Sequence, residues 1–220
     1  MPALTVTVWV EACRWTRGCA NALKESGGRP ELAEDMDLTD RSAWTRFRSG
    51  TGWTRRAWEL GQELRPASES AGQLYVVGTP QNDAWHVAAH LDDEARFTGL
   101  TTLRPRLLRW RPPADGPAHL RLSIDELRDG GHGRAVLVVA PDPLAADELE
   151  RLADARRAGA TLLAVTTSGD ELAGIAHESA VVDSPVSPSG LEAVGFAGHV
   201  VTVSAGTALR PRRRFALLSR

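Results

Sequence analysis

The side chains able to do chemistry are few and scattered along the chain. His86 and His90 stand four apart, a spacing that places two imidazoles on one face of a helix. Residue 87 is Val, so the His-Glu-x-x-His pattern of a metalloprotease is absent; the pair reads as solvated or helix-packing, and no metal is expected. Asp92, Asp93 and Glu94 follow, either as a source of carboxylate or as the soluble face of the same helix. His177 and Glu178 form an acid/base couple in type, while a histidine at the end of a short helix is also what the helix dipole favours. Thr166-Thr167-Ser168-Gly169 offers three hydroxyls and a glycine ahead of a helix. It suits an anion or a hydroxylated ligand, or simply a turn in which Ser168 or Asp170 caps the next helix. Lys24 is the sole lysine among 26 basic residues, so Schiff-base chemistry has one candidate. Cys13 and Cys19 fit no common zinc or redox spacing, and two such thiols suit a reducing compartment. No catalytic residue can be assigned, and no cofactor is expected.

Elements that would position these groups emerge from the apolar pattern. From residue 73 onward short apolar runs alternate with helical stretches, the pattern of a parallel sheet with crossover helices. Strands are expected at residues 74–77, 134–140, 161–165 and 180–182, with a fifth inside 100–110 where Pro105 limits pairing. Helices are expected at 85–96, 143–158 closed by Gly159, 171–178 and 190–209, with a short one at 123–127 capped by Ser123. Trp53, Ala57, Leu60 and Leu64 line one face of a helix over 51–64, which Arg65-Pro66 should stop. Residues 4–24 fit helical spacing better than strand alternation. The expected organisation is a helical N-terminal segment at 1–66 and an α/β domain at 67–220.

A chain of 220 residues with 42% apolar and 25% charged residues can bury a sizeable core. Its net charge of −2 sets up no field to attract nucleic acid or an acidic membrane surface. The run Arg210-Pro-Arg-Arg-Arg214 then reads as a solvated tail or intersubunit contact. No apolar run reaches the roughly 20 residues of a membrane span, and residues 1–10 lack a basic leader, so the protein is expected in the cytoplasm. Trp9, Trp15, Trp44, Trp53 and Trp58 crowd the first 60 residues, and such a surface needs covering; a homo-oligomer joined through this segment is expected, packing on its own sheet being the other outcome.

The order of elements over residues 73–208 resembles the sugar isomerase (SIS) domain. Gln73-Leu-Tyr-Val-Val-Gly78 is similar to that family's first strand and glycine turn, and Asp154-Ala-Arg-Arg-Ala-Gly-Ala-Thr-Leu-Leu-Ala-Val165 to its helix-glycine-strand unit. Glu171-Leu-Ala-Gly-Ile-Ala176 followed by Ala180-Val-Val182 resembles its short helix and last strand. The resemblance implies a three-layer α/β/α fold with a mostly parallel central sheet, and ligand contacts in loops at the carboxyl ends of the strands. Those positions are Gly78, Thr79 and Asn82 in the first loop and Thr166, Thr167, Ser168 and Gly169 in the third.

The departures matter as much. Pro80 stands where a second glycine is usual, and Asn82 near the place of a serine. The second loop, Ala140-Pro-Asp-Pro-Leu-Ala-Ala146, has no hydroxyls, two residues without amide donors, and in Asp142 a charge that repels a phosphate dianion. The expected function is non-catalytic or weakly active binding of a small phosphorylated or polyhydroxylated metabolite. The alternatives are a self-assembling protein that kept the fold and lost the site and, third, an aldose-ketose phosphosugar isomerase.

Overall fold

A computed structural model describes residues 52–207 apart from 116, 129–132, 168–170 and 183–192, with the side chain at 119 also excluded. The expected helix at 4–24, both cysteines, Trp9, Trp15 and Trp44, His132 and the arginine run at 210–214 lie outside the described residues. The described residues belong to one compact unit.

The apolar runs pair as a five-stranded, all-parallel sheet: β1 (Leu74–Val77), β2 (Pro105–Leu108), β3 (Arg134–Ala140), β4 (Ala160–Thr166) and β5 (Glu178–Val181), in spatial order β2-β1-β3-β4-β5. β1 is buried throughout and β3 nearly so, because helices cover both faces of the sheet. Side chains alternate between those faces. Val136, Val138, Leu162 and Ala164 pack with Leu152, Ala155 and Leu172 of α3 (Ala146–Arg157) and α4 (Glu171–Ile175). The intervening set, including Leu137, Val139, Leu163 and Val165, is buried on the other side, where α1 (Gly52–Ala71) and α5 (Ala193–Gly206) pack on β3 and β4, and α2 (Trp85–Thr98) on β1 and β2. This is the expected three-layer α/β/α architecture. Among the described residues no helix is long and apolar enough to cross a membrane.

Several boundaries differ from expectation. Pro66 does not stop α1, which runs on to Ala71 and ends at Gly72, φ +70°, whose amide bonds Ser68 O at 2.9 Å. An interior proline removes one helical hydrogen bond at a cost of about 3 kcal/mol. Packing overrides it here: Leu64 and Ser68, either side of the proline, are fully buried, and Ser68 Oγ donates to Arg65 O at 2.8 Å. The helix therefore straddles residue 66. Trp53, expected at an intersubunit surface or in the core, meets Phe196 of α5 edge-on with ring centroids 6.3 Å apart.

α3 begins at Ala146 rather than 143, since Ala145 is still extended and Pro143 lies in the preceding loop. Glu148 Oε2 accepts from Ala145 N at 2.8 Å, half of a capping box in which alanine supplies no acceptor. Ser123 caps the short 3-10 helix Ile124–Leu127, its Oγ accepting from Asp125 N at 3.2 Å.

The two edge strands are both four residues long. β2 opens on Pro105, and just beyond it Arg109 bridges Ser123 in parallel. On β5, Arg56 of α1 reaches Glu178 Oε2 at 3.3 Å and Ser179 O at 3.2 Å.

Candidate functional site

Strand order reverses between β1 and β3: the chain leaves β1 toward β2 and then returns past it to β3, β4 and β5. Ligands of open α/β sheets bind outside the carboxyl ends of the strands at such a point. Here that crevice lies between Gly78, after β1, and Pro141, after β3.

The first loop is a tight turn closed on itself. Thr79 N bonds Asn82 O at 2.9 Å, and Asn82 N reaches Thr79 O at 3.2 Å and Thr79 Oγ1 at 3.1 Å. The turn folds so closely over Gly78 that a Cβ there would lie 2.0 Å from Asn82 O and 2.6 Å from Ala84 N; glycine is obligatory. Trp110 Nε1 donates to Gly78 O at 2.9 Å and fixes the strand exit from the other side.

The second loop meets the first across the crevice, where Asn82 Nδ2 donates to Asp142 Oδ2 at 2.5 Å. The third joins the second through Thr167 Oγ1, which donates to Pro141 O at 3.2 Å. Thr79 and Thr166 are buried, whereas Asn82 is exposed. Gly78, Thr79, Asn82, Thr166 and Thr167 thus gather at the carboxyl end of the sheet, and Ser168 and Gly169 lie outside the described residues. A cleft of about 50 Å³ opens beside them, lined by Asp142, Leu144, Leu149, Thr166 and Glu171 among others. Two of those groups are carboxylates, and among the described residues no arginine or lysine lines it.

Sequence reasoning missed Trp110, Arg109 and Asp83. Arg109 pairs with Asp83 at 3.2 Å, joining the end of β2 to the first loop. Its Nε is buried without a partner among the described residues. Arg151 lies over the Trp110 ring at 5.9 Å and binds Asp125 at 2.5 Å. Nothing in the spacing of these residues announces their meeting, because the contacts cross between separate elements.

His177 takes a role that neither sequence reading assigned. Its Nδ1 accepts from Leu162 N at 3.0 Å, while His177 N donates to Leu162 O at 2.8 Å, so the imidazole extends the ladder between β4 and β5. His86 and His90 do meet: their Nε2 atoms stand 3.1 Å apart.

No protein-family model matches this chain, and no curated protein matches it. Among solved structures it is similar to the sugar isomerase domain of an RpiR transcription factor from Sphaerobacter thermophilus, at 20% identity and TM-score 0.47, over 80% of this chain and 87% of that one. A candidate phosphosugar isomerase from Silicibacter pomeroyi is similar at 15% identity and TM-score 0.44, over 72% of this chain and 45% of that one. A hypothetical protein is similar at 13% identity and TM-score 0.44, over 81% of this chain and 87% of that one. At these identities the likeness is one of fold.

Proposed function

We propose that this chain is a non-catalytic binding module whose switch-point crevice takes a small, uncharged, polyhydroxylated metabolite in place of a phosphosugar. The hydrogen bond from Asn82 to Asp142 carries this reading. A carboxylate and a carboxamide side by side offer acceptors and donors to vicinal hydroxyls. The same carboxylate opposes a phosphate dianion, and Pro80, Pro141 and Pro143 withdraw amide donors from the flanking loops. Trp110, bonded to Gly78 O and covered by Arg151, holds the strand exit that forms one wall of the crevice. His177, the histidine best suited by sequence to proton transfer, lies at the amino end of β5, away from the crevice, which supports binding without turnover there.

A second reading, a scaffold that kept the fold without a ligand, draws support from the size of the cleft, about 50 Å³. Clefts that enclose a ligand run to roughly 300–1,000 Å³.

A thermal-shift panel of neutral sugars and polyols beside the matching sugar phosphates separates the two. A ligand at 100 times its dissociation constant adds about 2.7 kcal/mol of stability. Stabilisation by a neutral polyol that disappears in Asp142→Ala is the expected result. Stabilisation by phosphates alone overturns the proposal, and silence across the panel selects the scaffold.

A further inference from the structure

The seam between α2 and α5 holds a cluster that the crevice does not use. His86 and His90 project from successive turns of α2. Their rings meet edge-on with centroids 4.5 Å apart, and His90 meets His199 of α5 in the same way at 4.5 Å. Gly198 permits the approach, since a Cβ there would lie 2.7 Å from Val87 Cγ2. Trp85 stands edge-on to His86 at 5.6 Å. A hydrogen bond between two Nε2 atoms requires one of them to be unprotonated, so the geometry itself calls for a neutral ring. Two neutral Nε2 atoms 3.1 Å apart share a single hydrogen, one donating and the other accepting.

We propose that His86 and His90 bind one first-row divalent transition ion, of the nickel, copper or zinc class, through their Nε2 atoms, with His199 packed against the pair to hold its geometry. Two nitrogens at about 2.0–2.1 Å from a tetrahedral ion lie roughly 3.3 Å apart, so the observed separation needs only a slight opening. Imidazole nitrogen suits these ions, and the neutral ring is the ligating form. Ligation through Nε2 puts both ring protons on Nδ1. The ring that donated its Nε2 proton relocates it to Nδ1 through solvent, and no proton is released overall. Among the described residues no three histidine, cysteine or carboxylate side chains form a closed metal site. The ion's remaining positions go to water or to an added ligand, as in open rather than structural centres.

The test uses the full chain, untagged and stripped with chelator, titrated calorimetrically with Ni2+ and with Zn2+. One ion per chain is expected, with affinity falling by at least about tenfold in either His86→Asn or His90→Asn, since each removes one of the two ligands and even outer-shell losses reach that size. Copper EPR on the unsubstituted chain reads the site without mutation, and coupling to two imidazole nitrogens is expected. Absence of saturable binding up to millimolar ion overturns the proposal. So does binding undiminished in the double variant, or an EPR spectrum without two coupled nitrogens.

Discussion

Where α1 crosses α5, polar groups are sealed between helices. Ser204 Oγ donates to Trp58 O at 2.6 Å, and Gln62 Nε2 donates to Ser204 O at 2.6 Å and to Ser204 Oγ at 2.8 Å. The helices approach so closely that a Cβ on Gly61 would lie 2.4 Å from Val201 O and 2.6 Å from Ser204 Cβ. At the crevice the polar groups pair near the surface, Asn82 with Asp142 and Thr167 with Pro141 O, on loops stiffened by proline. The seam tolerates little change because each group has partners fixed by backbone. The crevice tolerates exchange because its side-chain partners can be replaced by ligand hydroxyls or water.

Four changes test that contrast. Leu64→Ala removes a fully buried side chain of α1 and should cost about 2–5 kcal/mol in denaturant unfolding, the range for cavities of this kind. Gly61→Ala should cost about 1–3 kcal/mol by overpacking, since the atoms it meets include backbone. A neutral result would show the seam to be looser than its distances imply. Ser204→Ala strips partners from Trp58 O and Gln62 and should cost about 1–2 kcal/mol. Asn82→Ala should change stability by less than about 0.5 kcal/mol, as exposed substitutions do. It should nevertheless abolish stabilisation by a neutral polyol. A cost as large as that of Ser204→Ala would erase the distinction between the two regions.

Acid tests the separate seam between α2 and α5. In metal-free protein His86, His90 and His199 titrate below their ordinary value of 6.5, His90 at about 4. The unfolded chain therefore takes up protons first, and stability falls as pH drops from about 6.5 toward 4. Glu94 acts oppositely: burial, then the charge of Asp93, raises it from 4.5 to about 6, so the folded state gains a proton first and stability recovers somewhat between pH 6 and 4.5. On the same helix Asp92 is paired with Arg96 and Arg104. Melting temperature against pH should fall on acidification, and more steeply in Glu94→Gln, which removes the opposing contribution. A flat profile would mean that the imidazoles are solvated.

The strands were legible in the sequence because a parallel sheet covered on both faces needs uninterrupted apolar runs, and Ala135 to Val139 or Leu162 to Val165 can hardly be anything else. The prolines at 80, 141 and 143 likewise announced that the crevice loops differ from a phosphate cradle. Contacts between distant elements were not legible. Asn82 and Asp142 are 60 residues apart, and His199 joins His90 only because Gly198 lets α5 close on α2. The continuation of α1 past Pro66 was hidden for a related reason: local propensity argued for a stop, and burial of Leu64 and Ser68 decided otherwise.

The short outer strands have a consequence for how copies of this chain can meet. An open sheet border is a template on which a foreign strand can nucleate and spread. β2 offers four residues beginning with a proline, and the chain doubles back to bridge Arg109 with Ser123 immediately beyond them. β5 offers four, opening with a charged Glu178 that Arg56 holds in place. Among the described residues, neither border supplies the long, flat, uncharged row that runaway stacking requires.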